Sequence, residues 1–140
     1  VSPTELIQLS DQINDFRKLS TQILAISIDS PFSHLQYLLS KRSQGGLGNL
    51  QYPLVSDLNQ TITKKYNLLT NDGLSFPGIF IIDKEGIIQY YTVNNLLCGR
   101  NIDELLLEKE VIEITNLNTI NKIALQNALA PEMVVVRQTL

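Results

Sequence analysis

Apolar residues recur at three- and four-residue intervals at the start of the chain, as Leu6, Leu9, Ile13 and Phe16. That spacing predicts an amphipathic helix from Ser2 to about Leu19. Ile23-Leu24-Ala25-Ile26-Ser27-Ile28 follows as a short apolar, β-branched run, which predicts a strand buried on both faces. Ser30-Pro31 opens a second helix with proline at its first position. That helix carries Phe32, Leu35, Leu38 and Leu39 and is expected to end near Lys41-Arg42. Gln44-Gly45-Gly46-Leu47-Gly48 reads as a flexible surface loop, Pro53-Leu54-Val55 as a brief strand, and Leu58, Ile62 and Tyr66 as the stripe of a third helix.

Two β-rich runs, Gly78–Ile82 and Ile87–Val93, flank the polar turn Asp83-Lys84-Glu85-Gly86, which predicts a hairpin. Asn101 with Glu104 three residues later caps a fourth helix, and a fifth is expected from about Leu117 to Leu129, ended by Pro131. The order α-β-α-β-α-β-β-α predicts an α/β sandwich with a mixed sheet built from the four strands. No strand precedes the first helix, where a βαβ unit requires one. An unfilled place in the sheet, and a weakly stable chain, are therefore expected.

At 140 residues the chain fits one domain with a core of its own. A net charge of −3, with Lys and Arg scattered, argues against nucleic-acid or anionic-membrane partners. No apolar run reaches the ~18–20 residues that span a bilayer. The single cysteine, Cys98, excludes an intrachain disulfide and reads as a small buried hydrophobe. His34, the only histidine, reads as a helix-face residue hydrogen-bonded in the fold and lacks companions for a metal site. Gly45-Gly46-Leu47-Gly48 lacks the Lys-Ser/Thr of a nucleotide loop, so no cofactor is expected. The chain starts on Val1 rather than Met, at the threshold of a helix, which suggests a trimmed or incomplete chain.

The opening Val1-Ser2-Pro3-Thr4-Glu5 resembles the V-C-P-T-E active-site segment of the typical 2-Cys peroxiredoxins. Ser27-Ile28-Asp29-Ser30-Pro31-Phe32-Ser33-His34-Leu35 is similar to that family's S-V-D-S-x-F-S-H-L, and Gln44–Gly48 to the Q-G-G-L-G loop of its peroxide-sensitive members. Pro53-Leu54-Val55-Ser56-Asp57, Phe80-Ile81-Ile82-Asp83 and Gly99-Arg100 continue the match in order, with a plastid and cyanobacterial flavour. The resemblance implies a thioredoxin-like layer sandwich with a mixed sheet, lacking the N-terminal strands that the family carries ahead of Val1. It implies two parts: an N-terminally truncated peroxiredoxin-like domain over 1–115, and a divergent C-terminal helix and tail over 116–140.

The same resemblance implies a thiol peroxidase that reduces hydrogen and organic peroxides with thioredoxin as donor. In such a site a cysteine opens a helix and attacks peroxide as the thiolate, its pKa lowered by the helix N-terminus. Here that position is Ser2. The family's arginine, in R-G-x-F-I-I-D, three residues before the Phe of F-I-I-D, falls on Pro77, and no resolving cysteine follows. Glu5 and Arg100 match a pair that braces the family's site. Ser2-Pro3-Thr4-Glu5 is also a capping box, whose cap contributes ~0.5–2 kcal/mol.

Two readings stay open. One is a peroxiredoxin scaffold that is inactive as written. The other is a non-catalytic interaction domain or degenerate gene fragment that keeps the fold. Either would associate as a homodimer or higher oligomer through Ile87–Val93, with plastid or cytoplasmic localisation.

Overall fold

The computed structural model describes residues 3–95, 102–103 and 132–136; for the last group, only the backbone is described. Helix α1 spans Pro3–Asp11 and α2 spans Ile13–Lys18, so the single helix expected over Ser2–Leu19 is broken at Gln12, with φ −97° and ψ 13°. The break follows Ser10-Asp11, whose short side chains compete with helical backbone bonds. Ser10 Oγ accepts from the Gln51 amide at 2.9 Å. Both pieces still bury the predicted stripe of Leu6, Leu9, Ile13 and Phe16.

β1 (Gln22–Ser27) leads into α3 (Pro31–Leu39), then β2 (Leu54–Ser56) and the short α4 (Thr61–Lys65). α3 starts as the sequence predicts, with Ser30 Oγ accepting from the Ser33 amide at 3.1 Å. The hairpin consists of β3 (Gly78–Ile82) and β4 (Ile88–Val93). Its turn is held by Asp83, whose Oδ1 accepts from the Glu85 and Ile87 amides, with Gly86 at φ +82°. Ile102 and Asp103 are helical, as the fourth helix requires. The expected fifth helix and the 115/116 boundary lie outside the described residues.

All four expected strands share one sheet of order β2-β1-β5-β3-β4. β1 pairs parallel with β2, and β3 antiparallel with β4. The expected gap is absent. A fifth strand, β5 (Glu132–Val136), lies parallel to β1 from Gln22↔Glu132 to Ile26↔Val136, and antiparallel to β3 from Gly78↔Val136 to Ile82↔Glu132. The place expected to be unfilled is thus taken by a segment from near the other end of the sequence. The signal was Met133-Val134-Val135-Val136, a β-branched run just after Pro131.

Side chains alternate across the strands. Ile79 and Ile81 of β3 join Ile23 and Ala25 of β1 under Leu6, Leu9, Ile13 and Phe16 of the two N-terminal helices. On the other face, Phe80 and Ile26 pack with Leu68, next to Ile62 and Tyr66 at α4. Helices therefore cover both faces, the α/β layer arrangement expected from the element order. The loop at residues 44–48 is not the loose surface segment expected. Leu47 is fully buried in the first cluster, and a Cβ on Gly46 would collide with the backbone carbonyl of Ser40. Among the described residues, no helix is long and apolar enough to cross a membrane.

Candidate active site

Strand register fixes which residues share the site end of the sheet. Val136 faces Ile26 on one side and Gly78 on the other, so the C-terminal end of β1 and the start of β3 lie at the same end. They are separated by two strand spacings, about 10 Å. Pro77, immediately before β3, is buried, and its carbonyl accepts from the Asn94 amide at 2.9 Å. Its role is to close the open end of the hairpin. An apolar ring with no donor occupies the position where the resemblance expects a guanidinium, and proline offers neither charge nor hydrogen bond. Glu5 stands in the first turn of α1 and is buried, a placement the helix dipole favours. Ser2, Cys98 and Arg100 lie outside the described residues.

The most developed polar cluster at this end lies where β1 runs into α3. Ser27 Oγ sits 2.6 Å from His34 Nε2 and 2.9 Å from Asp29 Oδ2. It also accepts from the Asp29 amide at 3.2 Å. A carboxylate only accepts, so the single Ser27 hydrogen goes to Asp29. His34 therefore carries a proton on Nε2 and donates it to Ser27. No partner meets hydrogen-bond geometry at Nδ1. Burial is the largest influence on His34 and holds its pKa below the usual 6.5, against the opposing pull of the Asp29 charge and the Leu54 backbone carbonyl. The order of contacts is Asp–Ser–His, with the serine in the middle and almost fully buried. A hydrolytic triad needs the histidine between the other two, so this cluster is a brace between β1 and α3. An open cleft beside it is lined by Asp29, Phe32, Ser33, His34, Gln36 and Tyr37.

A second polar knot ties β2 to α4. The Asp57 amide donates to the Ser27 carbonyl at 2.7 Å. Its carboxylate accepts from the Ile62 amide at 3.0 Å and from both the amide and hydroxyl of Thr63 at 2.7 Å. Burial pushes the Asp57 carboxyl up, but the donors of Thr63, Ile62 and Thr61 outweigh it and hold the group below its usual value. Ser56 Oγ donates to the Asp29 carbonyl at 2.6 Å, which links the two knots.

Sequence reasoning placed His34 on a helix face, hydrogen-bonded in the fold, as it is, but did not name Ser27 and Asp29 as its partners and missed the Asp57 knot. The signal available was a serine at a strand end, Asp two residues on and His seven residues on, in the first turns of a proline-started helix. Asp57 preceding a helix by a few residues carried a similar signal.

Known proteins resemble this chain. The AhpC/TSA family model matches residues 1–91. The ycf42 protein of Trieres chinensis is 72% identical over 118 residues, covering 84% of this chain and 58% of that protein. The chloroplastic 2-cysteine peroxiredoxin of Chattonella marina var. antiqua is 52% identical over 118 residues, covering 84% of this chain and 60% of that one. The chain thus spans less than two thirds of the length of these relatives. Among solved structures, the mitochondrial 2-Cys peroxiredoxin of Plasmodium falciparum superposes with a TM-score of 0.79 at 39% identity, covering 89% of this chain and 73% of that one. With the fold, the ordered motifs and these likenesses in agreement, the chain belongs to the AhpC/TSA family, as a 2-Cys peroxiredoxin of the plastid and cyanobacterial type.

Proposed function

We propose that this chain carries the scaffold of a plastid thiol peroxidase that reduces hydrogen and organic peroxides with thioredoxin as donor, and that the chain as written does not turn over. The family match over residues 1–91 supports the scaffold, and the likeness of Val1-Ser2-Pro3-Thr4-Glu5 to V-C-P-T-E is the reason for reading Ser2 as the position of the attacking thiol. In a working site the thiolate sulfur attacks one peroxide oxygen. An S–O bond forms, the O–O bond breaks, and the departing oxygen takes a proton to leave as water or an alcohol, with sulfur oxidised to sulfenic acid. A second thiol then condenses with the sulfenic acid, and the donor dithiol reduces the resulting disulfide.

Ser2 supplies no such step, because a hydroxyl stays protonated near neutral pH and has no oxidised state on this ladder. Pro77 removes the fixed donors that would hold peroxide and thiolate. Glu5 and Arg100 act as a bracing pair and not as reacting groups. The plastid assignment is supported by the chloroplastic relative. Self-association is proposed through β4, an edge strand with exposed Ile88, Tyr91 and Val93. The same edge, with Pro77, favours the second reading of a non-catalytic interaction domain.

The test is sulfenic acid trapping. A Ser2→Cys, Cys98→Ala variant treated with stoichiometric hydrogen peroxide and a 1,3-dione should form an adduct at position 2, faster when Pro77→Arg is added. The unmodified chain should form none there. A thiol at position 2 that oxidises no faster than free cysteine in both variants would refute the reading.

A further inference from the structure

Consecutive residues just ahead of β2 tie α1 to the sheet. The Tyr52 hydroxyl, itself buried, donates to the Leu6 carbonyl at 2.7 Å. The Gln51 amide donates to Ser10 Oγ at 2.9 Å. Leu6 and Ser10 stand four residues apart in α1, so two neighbouring residues hold successive turns on one side of the helix. Next in the chain is Pro53, whose carbonyl accepts from the Ala25 amide at 3.1 Å. It leads straight into β2, whose register with β1 starts at Ala25↔Leu54. Gln51-Tyr52-Pro53 therefore connects α1 to the strand pair that ends at Ser27 and Ser56.

The other contacts of α1 do not set its place along its own axis. Leu6 and Leu9 share a core cluster with Leu47, Ile79 and Ile81, and apolar packing has no direction. The Arg42–Asp11 ion pair at the far end of the helix is exposed on both sides, and exposed pairs contribute little. Hydrogen bonds are directional, so the bonds from Tyr52 and Gln51 fix the axial position. Of these two, the Tyr52 bond is nearer the start of the helix. It depends on one oxygen, since phenylalanine would fill the same space and donate nothing.

We infer that Tyr52 is a positioning residue for the group immediately ahead of α1, which is Ser2 in this chain and the attacking thiol in the proposed peroxidase scaffold, the reading on which this inference rests. Tyr52 touches no reacting atom. Its hydroxyl holds the helix at one place against the sheet, and so governs how far position 2 stands from position 77, just ahead of β3. A misplacement of about 1 Å between reacting groups costs on the order of 10²-fold in rate. A bond that places the helix therefore acts on the chemistry at its end.

The experiment introduces Tyr52→Phe into two full-length backgrounds that both carry Cys98→Ala. In the first, spin labels are attached at Ser2→Cys and at Gln22→Cys, an exposed position of β1, and pulsed electron paramagnetic resonance reads the distance between them. Tyr52→Phe should shift or broaden that distance distribution. It should leave unchanged a control pair at Gln22 and Lys65, both exposed. In the second, Ser2→Cys with Pro77→Arg reacts with hydrogen peroxide and, separately, with iodoacetamide, whose alkylation needs no group at position 77. Tyr52→Phe should slow the peroxide reaction about tenfold and the alkylation by less than about twofold. A hydroxyl that only stabilised the fold would change neither the distance nor the ratio of the two rates. Unchanged distances, or a fast peroxide reaction indifferent to Tyr52→Phe, would overturn the inference and leave the peroxidase reading standing. A peroxide reaction no faster than that of free cysteine while Tyr52 is intact would overturn that reading and the inference with it.

Discussion

Ser27→Ala removes one oxygen and should destabilise the protein well beyond what that change in volume suggests. In the native state His34 Nε2–H donates to Ser27 Oγ at 2.6 Å, and the Ser27 hydroxyl donates on to Asp29 at 2.9 Å. Ser27 is 1% exposed and His34 4%, so water does not replace the lost acceptor. A buried donor left unsatisfied costs about 1–3 kcal/mol. Asp29 is only half-buried and recovers part of its loss from solvent. With a urea slope of about 2 kcal/mol/M, the midpoint should fall by roughly 0.5–1.5 M at pH 7.5.

Replacing both partners by apolar groups removes the orphan. Ser27→Ala with His34→Leu should therefore destabilise by less than the sum of the single changes, with a coupling of about 0.5–3 kcal/mol. The pH profile adds an independent check. The folded state holds the His34 pKa below its unfolded value of 6.5, so this stability is fully present above that pH and is lost as pH falls through it toward the lower folded value. His34→Leu should flatten the profile in that window. A midpoint shift for Ser27→Ala under about 0.2 M, additive single and double variants, or an unchanged acid limb in His34→Leu would each refute the assignment of protons along this chain of contacts.

Asp57→Ala should lower stability by about 2–4 kcal/mol, because it strips three hydrogen bonds from a carboxylate and leaves the buried Thr63 hydroxyl and amide unpaired; chemical denaturation measures it. The Asp57 pKa is depressed in the fold. Its contribution is therefore present above pH 3.8 and lost as pH falls below that value through the folded pKa, a loss that Asp57→Asn should remove from an acid-unfolding curve. Gly46→Ala should destabilise by about 1–3 kcal/mol through the clash with Ser40, read as a lowered melting temperature. Tyr91→Lys, at a side chain that is 65% exposed on the edge strand, should shift association toward monomer at micromolar concentration in analytical ultracentrifugation. An unchanged sedimentation profile would remove β4 as the interface.

Periodicity revealed those parts of the fold in which one face meets the core. The Leu6–Phe16 stripe, the apolar run of β1 and the Asp83–Gly86 turn each carry a local signal that tertiary structure obeys. The break at Gln12 was harder to read, since the apolar spacing runs on through it and only the weak helix formers around it hint at the change. The central place of β5, unlike its strand character, was illegible for a different reason. Its central place follows from pairing with strands more than a hundred residues away in sequence for β1 and about fifty for β3, and no local pattern encodes a partner. The site divides the same way. Pro77 was placed from its distance to Phe80-Ile81-Ile82-Asp83, but its burial and its bond to Asn94 come from the hairpin's closure. His34 looked like a helix-face residue because the Ser27 and Asp29 contacts depend on how α3 folds back over the end of β1.

Stopped-flow hydrogen peroxide consumption with stoichiometric protein decides whether this chain, as proposed, keeps the peroxiredoxin fold without its chemistry. The unmodified chain should consume no peroxide above background. Ser2→Cys alone should give little, and Ser2→Cys with Pro77→Arg should consume up to one equivalent. Rapid consumption by the unmodified chain that survives alkylation of Cys98 would contradict the claim.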